Sequence, residues 1–241
     1  MFIQKMDNDE EKEGQDELFR FKKGLISYLK TESLEAILAE VRRFPPRQAV
    51  RPLLAGLFHT DDPIKWHAVS ALGAVVAALA ERDMETARII MRRLMWSLND
   101  ESGSIGWGAP EAMAEIMAVH DGLAKEYTHI LVAYLHQDGC YLELPALQRG
   151  LMWGVGRLAG VRPDLLKKWG ASARLLPYLD SEDPEVRGLA ARALGILRAE
   201  EAKERLIVLQ SDTAGVLLYE KGELKTTTVA RLAVKALVML D

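Results

Sequence analysis

The chain has a single cysteine, and its positive and negative charges nearly balance. Cys140 is the only cysteine among 241 residues, so an intrachain disulfide cannot form. A lone cysteine is typical of proteins kept in a reducing compartment, and we therefore expect a cytoplasmic location. Lysine and arginine together number 31 against 35 aspartates and glutamates, for a net charge of −4. Because a general nucleic-acid footprint needs a basic excess, we expect no nucleic-acid partner.

The sequence also lacks a long hydrophobic run. A bilayer span needs about 20 mostly apolar residues, whereas the most apolar stretch, Val69–Ala80, is shorter and rich in alanine. Residues 1–17 have no signal-peptide core. They carry the acidic run DNDEEKEGQDE instead, which predicts a disordered tail. We therefore expect no membrane partner.

Motifs for catalysis, nucleotides or metals are scarce. No serine or cysteine stands in a nucleophile elbow, and no Walker or dinucleotide fingerprint is present. His129 and His136 lie seven residues apart, close in sequence to Asp138, Cys140 and Glu143. They lack the three- or four-residue histidine spacing and the cysteine pairs of zinc sites. We therefore predict no enzyme activity, no cofactor and no metal.

What the sequence does contain is a repeated pattern of a polar turn followed by an apolar helix. In Ser181–Leu197 an acidic turn precedes Pro184, and small or apolar residues then recur at helical spacing. Asp61–Leu79 repeats this pattern. Proline in the first helical turn loses no hydrogen bond, and the apolar spacing forms one buried stripe. Two copies of one pattern indicate a repeat architecture.

Five predicted helices carry this stripe, with equivalent positions 39 to 44 residues apart, about the length of a HEAT or armadillo unit. The stripe positions are Leu72, Ile116, Val155, Leu194 and Leu237. Another amphipathic helix is predicted before each turn, at Arg47–Phe58, Met84–Leu98, Ala124–Leu135, Leu165–Leu179 and Ala202–Gln210. One unit cannot cover its own stripe, but stacked neighbours can. We predict an all-α superhelix, a solenoid with residues 18–58 as an N-terminal helical cap and 59–241 as repeats of one domain.

The last unit contains an insertion. Val216–Tyr219 and Leu224–Thr228 are strand-like and flank Lys221 and Gly222, a pair typical of a tight turn. We predict a small β-hairpin in the last repeat. Since repeat arrays need covered ends for solubility, we expect the hairpin to cap the open end of the stack.

The residues of Ser181–Leu197 resemble HEAT-like repeats of the phycobilisome-lyase type. The family pattern D-x-P-x-V-R-x-x-A-A-x-A-L-G is matched at Asp183, Arg187, Ala190, Ala191, Ala193, Leu194 and Gly195. Asp62–Gly73 matches less fully, since Lys65 and Trp66 stand where the Val-Arg pair would be. Asn99–Glu111 and Gly150–Ala159 also resemble a narrower set of bacterial HEAT-repeat proteins of unassigned function. The resemblance implies the fold and carries no activity to this chain.

Two glycine-rich stretches depart from the ordinary repeat. Ser102–Glu111 adds glycines around Ile105 and Trp107, where glycine permits close approach and tryptophan offers a large flat contact face. It is either a ligand-binding loop or a turn whose tryptophan fills a gap between repeats. Gly150–Gly160 places four glycines in one helix, each costing about 1 kcal/mol relative to alanine. Two explanations are open. The glycines allow a neighbouring helix to pack closely, or they form a flat surface against which a planar ligand or a peptide lies.

The second helix of each unit lines the concave side of a HEAT stack, which predicts a binding groove. The positions two and six before each stripe residue lie about one turn apart on the same helix face. They hold several tryptophans and arginines, the residue types enriched at binding hot spots. The alternative is that the tryptophans are core residues and the arginines a solvated face. The predicted groove comprises Trp66, Trp107, Glu111, Arg149, Trp153, Arg157, Arg192 and Arg231.

Two functions fit such a groove. The first is a non-catalytic binding scaffold that holds an acidic or aromatic segment of a partner protein or peptide, with charge attraction setting the on-rate. The alternative is an accessory protein, lyase-like or chaperone-like, that binds a small anionic or tetrapyrrole-like cofactor. Self-association through exposed tryptophans, giving a homo-oligomer, is a third interpretation.

Overall fold

The computed structural model describes residues 24–99, 106–136 and 139–240. The predicted acidic tail and residues 102–105 of the predicted glycine-rich loop lie outside these ranges. The division of the chain at residues 17 and 58 stays a prediction.

α-Helices form most of the described chain. Helix α1 covers residues 24–31, and it is followed by α2 (Leu34–Val41), α3 (Pro46–Gly56), α4 (Asp62–Ala80) and α5 (Met84–Leu98). The middle of the chain forms α6 (Ala109–Val119), α7 (Asp121–Ala133) and α8 (Pro145–Ala159). The rest forms α9 (Pro163–Lys168), α10 (Ala171–Leu175), α11 (Pro184–Leu197), α12 (Lys203–Leu209) and α13 (Val229–Leu240), with short 3-10 turns at Leu176–Asp180 and Glu200–Ala202.

Helices α4, α6, α8, α11 and α13 pack side by side in chain order, and we call them the inner row. Helices α3, α5, α7 and α12 each pack against a member of this row. The predicted stripe residues Leu72, Ile116, Val155 and Leu194 are fully buried in the row, and Leu237 is partly buried. The predicted helical solenoid is therefore confirmed.

Local sequence explains where the inner-row helices begin. A proline stands in the first turn of α4, α6, α8 and α11. In α11, the Asp183 carboxylate accepts the backbone N–H groups of Glu185 and Val186 at 2.9 and 3.2 Å. An aspartate in this position satisfies helix N–H groups that have no partner within the helix.

Helix α4 is long and apolar enough, by length and composition, to cross a bilayer. Among the described helices it alone passes this test, and 78% of its apolar window is buried within the stack. Its position in the inner row, with neighbours on several sides, accounts for its apolar composition.

Glycines bring inner-row helices close together. A Cβ on Gly154 in α8 would lie 2.7 Å from the Ala114 Cβ in α6, and one on Gly195 in α11 would lie 2.4 Å from the Ala236 Cα in α13. Close packing of this kind, the first alternative for the glycine-rich helix, offsets the cost of glycine in a helix.

The predicted helix Leu165–Leu179 is wrong. Gly170 adopts a left-handed conformation, with φ of 69°, and separates α9 from α10. Pro177 then lies in a 3-10 turn rather than in an α-helix. Left-handed glycines commonly end helices, so the amphipathic pattern here spans a break in the backbone.

The predicted β-hairpin is confirmed. Strands β1 (Gly215–Glu220) and β2 (Glu223–Thr228) pair antiparallel, with Glu220 opposite Glu223. Lys221 and Gly222 connect them with φ of 54° and 84°. Two residues of positive φ form the type I′ turn that matches the twist of a hairpin.

The expected position of the hairpin at the end of the stack is wrong. A Cβ on Gly188 in α11 would lie 2.7 Å from the Val216 side chain, and a Cβ on Gly222 would lie 3.0 Å from Leu34 in α2. The hairpin thus reaches from α11 to the other end of the row and crosses its concave side. The reason lies in β1, where Val216, Leu218 and Tyr219 are buried and require cover on both faces of the strand.

Candidate functional site on the concave face

Three aromatic rings from distant parts of the chain meet on the concave face. Trp66 of α4 stacks on Tyr219 of β1, with ring centroids 4.9 Å apart and planes 14° apart. Trp153 of α8 lies 4.7 Å from Trp66 and 6.2 Å from Tyr219, centroid to centroid. The two tryptophans are only 7% and 4% exposed. Neither therefore offers an open face to solvent, as the predicted groove required, because the hairpin covers both.

Side chains of the inner row hold the backbone of β1 and the turn. The Trp153 indole Nε1–H donates to the Tyr219 carbonyl at 2.8 Å. His67 lies with Nε2 3.3 Å from the Gly222 carbonyl and Nδ1 2.7 Å from the Leu29 carbonyl. The backbone N–H of Leu217 donates to Glu185 at 3.4 Å. These contacts fix the position of the hairpin along the row.

The Tyr219 hydroxyl is also held. It lies 2.9 Å from the Ser70 hydroxyl on α4. Burial raises the pKa of Tyr219 to about 12, although the bond with Ser70 acts in the opposite direction. The phenol therefore stays protonated throughout the physiological range, and it pairs with α4 as a neutral group.

Two cavities flank the hairpin. The first, which we call the tryptophan cavity, has a volume of about 380 Å³ and lies along β1. It brings together the predicted residues Trp66, Trp107, Glu111, Arg149 and Trp153. It thus contains five of the eight predicted groove residues.

The second cavity, which we call the turn cavity, measures about 490 Å³ and surrounds the Lys221-Gly222 turn. It contains Arg157 and Arg192 and shares Trp153 with the tryptophan cavity. Arg231 is the exception among the predicted residues, because its side chain is exposed in the first turn of α13. Strand β2 runs directly into that helix, and the Arg231 N–H bonds to the Thr228 hydroxyl at 3.2 Å.

A buried ion pair forms one wall of the tryptophan cavity. Lys65 Nζ lies 2.8 Å from Oε1 of Glu111, which is almost fully buried, and 5.0 Å from the ring centroid of Trp66. Burial disfavours the charged form of Lys65, but attraction and hydrogen bonding from Glu111 outweigh it and raise the pKa of Lys65. A Cβ on Gly150 would lie 2.3 Å from Glu111 Oε2, so glycine at this position makes room for the carboxylate.

Three of the four predicted groove arginines are paired within the chain. Arg149 contacts Asp183 at 2.7 Å, Arg157 contacts Glu115 at 2.7 Å, and Arg192 contacts Glu220 at 3.1 Å. Arg149 Nε also lies 3.5 Å from Glu185, whose pKa burial raises despite the attraction of that arginine. The expected attraction for an acidic partner is weakened, because these positive charges already face carboxylates.

Trp107 joins the concave face to a second surface. It is 40% exposed and precedes Gly108, whose φ of 74° starts helix α6. Trp107 and Phe58 line both the tryptophan cavity and an outer groove of about 640 Å³, which also contains Ile89 and Trp96. We call these four exposed side chains the outer patch. The predicted groove did not include Trp96, because this residue lies on the first helix of its unit rather than on the inner row.

A further cavity of about 730 Å³ was also missed. It lies between the end of α7, the α9–α10 segment and the following 3-10 turn, and its lining includes Tyr141, Trp169 and Tyr178. The Tyr178 hydroxyl donates to the Leu135 carbonyl at 3.2 Å, and burial raises the pKa of Tyr178. No spacing in the sequence predicts this cavity, because its walls come from separate repeats.

Within residues 24–99, 106–136 and 139–240, no group of three or more His, Cys, Asp or Glu side chains is placed so that it could hold a metal ion.

Comparison with known sequences identifies a repeat. The family model described as HEAT-like repeat matches residues 145–197, which contain helices α8 to α11. An uncharacterized protein of Archaeoglobus fulgidus is 31% identical over 116 residues, 46% of this chain and 55% of the relative. The match thus spans about half the length of that curated relative.

Comparison with solved structures identifies the same fold over nearly the whole chain. An engineered protein superposes with a TM-score of 0.56 at 19% identity, over 91% of this chain and 90% of that chain. A computationally designed armadillo repeat protein for modular peptide recognition gives 0.54 at 19%, over 94% of each chain. A designed armadillo repeat protein in complex with the peptide (KR)4 gives 0.51 at 18%, over 90% and 98%. This chain therefore has the fold of HEAT- and armadillo-type repeat proteins.

Proposed function

We propose that this protein is a non-catalytic scaffold that binds an extended segment of a partner protein on its concave face. The observation that carries the proposal is the tryptophan cavity, an open space of about 380 Å³ between β1 and the inner row. The fold supports it, because a designed armadillo neighbour holds a peptide. A cytoplasmic location, with neither nucleic acid nor membrane as partner, is part of the proposal and rests on composition alone.

The partner segment would carry an apolar or aromatic anchor. An inserted side chain would meet Trp107, the one tryptophan of this cavity with a large exposed fraction, and the edges of Trp66 and Trp153. Such anchors supply most of the binding energy in protein interfaces. The cavity is near the lower limit of about 300 Å³ for ligand pockets, which suits one or two side chains.

The small-ligand alternative finds less support. An anionic cofactor would need a positive charge facing the cavity without a partner, but Lys65 and Arg149 each contact a carboxylate of this chain. The likeness to phycobilisome-lyase repeats is one of fold, which is weak support for a function.

The test is selection of a displayed random-peptide library on the purified protein, followed by binding measurements on variants. We expect selected peptides to contain an aromatic residue and to bind Trp107→Ala at least tenfold more weakly. Trp169→Ala is the matched control, because Trp169 is 41% exposed but lines a different cavity. We expect wild-type affinity for that control.

Two results would contradict the proposal. One is a set of peptides that bind Trp107→Ala as tightly as the wild type. The other is visible absorbance in the purified protein that disappears in Trp107→Ala, since a coloured cofactor in the cavity would favour the accessory-protein alternative.

A further inference from the structure

We infer that the hairpin tip, residues 218–225, is an internal ligand of the concave face, and that the partner segment bound there resembles β1: an extended strand with an aromatic residue followed by an acidic one. Binding of such a segment displaces the tip. The inference rests on the proposed scaffold function and names the chemistry of its partner.

The first argument is that the inner row holds the backbone of the tip. Trp153 donates to the Tyr219 carbonyl at 2.8 Å, and His67 lies 3.3 Å from the Gly222 carbonyl. Both contacts are made to carbonyl oxygens that every residue type possesses. An extended segment in the register of β1 would receive the bond from Trp153, which is how strand-recognising proteins gain affinity from the main chain, whereas the His67 contact is made to the turn.

The second argument concerns the two side chains that give specificity. The Tyr219 ring stacks on Trp66, and its hydroxyl meets Ser70. The next residue, Glu220, pairs with Arg192 at 3.1 Å. Together these sites recognise an aromatic residue followed by an acidic residue.

The third argument is a difference among the arginines. The carboxylates that pair with Arg149 and Arg157 lie on inner-row helices or at a helix start, and stay in place when the hairpin moves. The partner of Arg192 is Glu220, which belongs to the tip itself. Displacement of the tip therefore uncovers one positive charge, and it lies where an acidic residue of the partner would replace Glu220.

The fourth argument is that the tip can leave while the base stays. Val216, at the base, is buried and lies against Gly188 of α11, whereas Lys225 and Thr226 in β2 are exposed. A two-stranded hairpin is marginally stable in water by itself, so its docking on the row orders it. A tethered segment competes at an effective concentration of about 1 mM or more, which lowers the apparent affinity for a partner.

The test uses the fluorescein-labelled peptide VLLYEKGELK, the sequence of residues 216–225, and fluorescence anisotropy with full-length protein. Tyr219→Ala removes the internal anchor and leaves the inner row intact. We expect it to bind the peptide at least tenfold more tightly than the wild type. Tyr219→Phe keeps the stacked ring and loses only the bond to Ser70, and we expect its affinity to lie between those of the wild type and Tyr219→Ala.

Two further arms test the recognition chemistry. Both arms use the Tyr219→Ala protein. Adding Arg192→Ala should weaken binding of the peptide at least fivefold. A peptide in which glutamine replaces the glutamate that corresponds to Glu220 should also bind at least fivefold more weakly. Gly222→Val gives a second way to loosen the tip, because Gly222 has a φ of 84° and little room beside Leu34. It changes no groove residue, and we expect it to raise peptide affinity as Tyr219→Ala does.

The outcomes separate this inference from the proposed function. If Tyr219→Ala or Gly222→Val folds and binds the peptide no more tightly than the wild type, the internal-ligand inference is overturned. If library-selected peptides bind the wild type in a Trp107-dependent way and VLLYEKGELK does not compete, the scaffold function stands and this inference fails. If no peptide is selected and all variants bind VLLYEKGELK equally, both fail.

Discussion

The two tryptophans beneath the hairpin and the two tryptophans of the outer patch differ in how much of each side chain meets solvent. Trp66 and Trp153 are 7% and 4% exposed, whereas Trp96 and Trp107 are 75% and 40% exposed. Of these four, Trp66, Trp96 and Trp153 lie on helices of the repeat stack, and Trp107 precedes α6. What separates the groups is the hairpin, which covers the concave pair and leaves the outer patch open. A segment far away in sequence thus decides whether a tryptophan on this face is buried or exposed.

The largest predicted difference in stability is between a variant that truncates a buried tryptophan and one that truncates an exposed tryptophan. Trp153→Ala removes a buried ring and its bond to Tyr219, and we expect it to lower the free energy of unfolding by about 3–5 kcal/mol. Trp96→Ala should change it by no more than about 0.5 kcal/mol. Urea denaturation of both variants measures the difference. Equal losses of unfolding free energy in the two variants would contradict the difference in burial between the two tryptophans.

The buried ion pair of the concave face should contribute more to the free energy of unfolding than an exposed ion pair outside it. Glu111→Ala leaves Lys65 without its carboxylate, and we expect a loss of about 3 kcal/mol in the free energy of unfolding. Glu85→Ala is the control, since Glu85 pairs with Arg92 at 2.6 Å on the exposed surface of α5. Denaturation should show no measurable change for that control. A similar loss in both variants would contradict the burial difference.

Alkaline pH should weaken the concave cluster through Tyr219. Its pKa is raised by burial to about 12 in the folded protein, against about 10 in an unfolded chain. The folded state therefore holds the proton more tightly, and the resulting stability is complete below pH 10 and is lost as the pH rises toward 12. The two-unit difference in pKa corresponds to a full loss of about 2.7 kcal/mol.

Tyr219→Phe isolates this effect from other groups that titrate in the same range. Its free energy of unfolding, measured by urea denaturation from pH 9 to 11.5, should fall less steeply than that of the wild type. Parallel pH profiles for the two proteins would show that the Tyr219 phenol is not buried.

The smallest predicted effect concerns the hydroxyl pair between the hairpin and α4. Ser70→Ala removes the partner of the Tyr219 hydroxyl and should cost about 1 kcal/mol. In a double-mutant cycle with Tyr219→Phe, the second substitution should add little, because the first has already broken the bond. Fully additive losses in denaturation would mean that the two hydroxyls do not interact.

The sequence predicted the solenoid and the hairpin because both depend on local patterns. Proline-started helices with a stripe of small residues repeat along the chain, and Lys221-Gly222 suits a two-residue turn. The position of the hairpin depends on contacts between residues about 150 positions apart, such as Ser70 and Tyr219. A signal did exist: four consecutive apolar residues, Val216–Tyr219, indicate a strand buried on both faces, which a solvent-facing cap would not need.

Seven of the eight predicted groove residues line the two cavities beside the hairpin, whereas their ion pairs were not predicted, and a binding role for them stays a prediction. Helical spacing placed Trp66 and Trp153 on one face, and their rings lie 4.7 Å apart. The pairing of Arg157 with Glu115, 42 residues away, depends on the rotation of neighbouring repeats, which no spacing within a helix specifies. For that reason a groove expected to be basic contains internal ion pairs.

The central claim is that the hairpin lies in the concave groove and covers Trp153. Hydrogen exchange of the indole N–H groups, followed by NMR, tests it directly. Because the Trp153 N–H is bonded to the Tyr219 carbonyl and buried, it should exchange at least about 100-fold more slowly than the exposed Trp96 N–H. Exchange of both groups at the same rate would contradict the account.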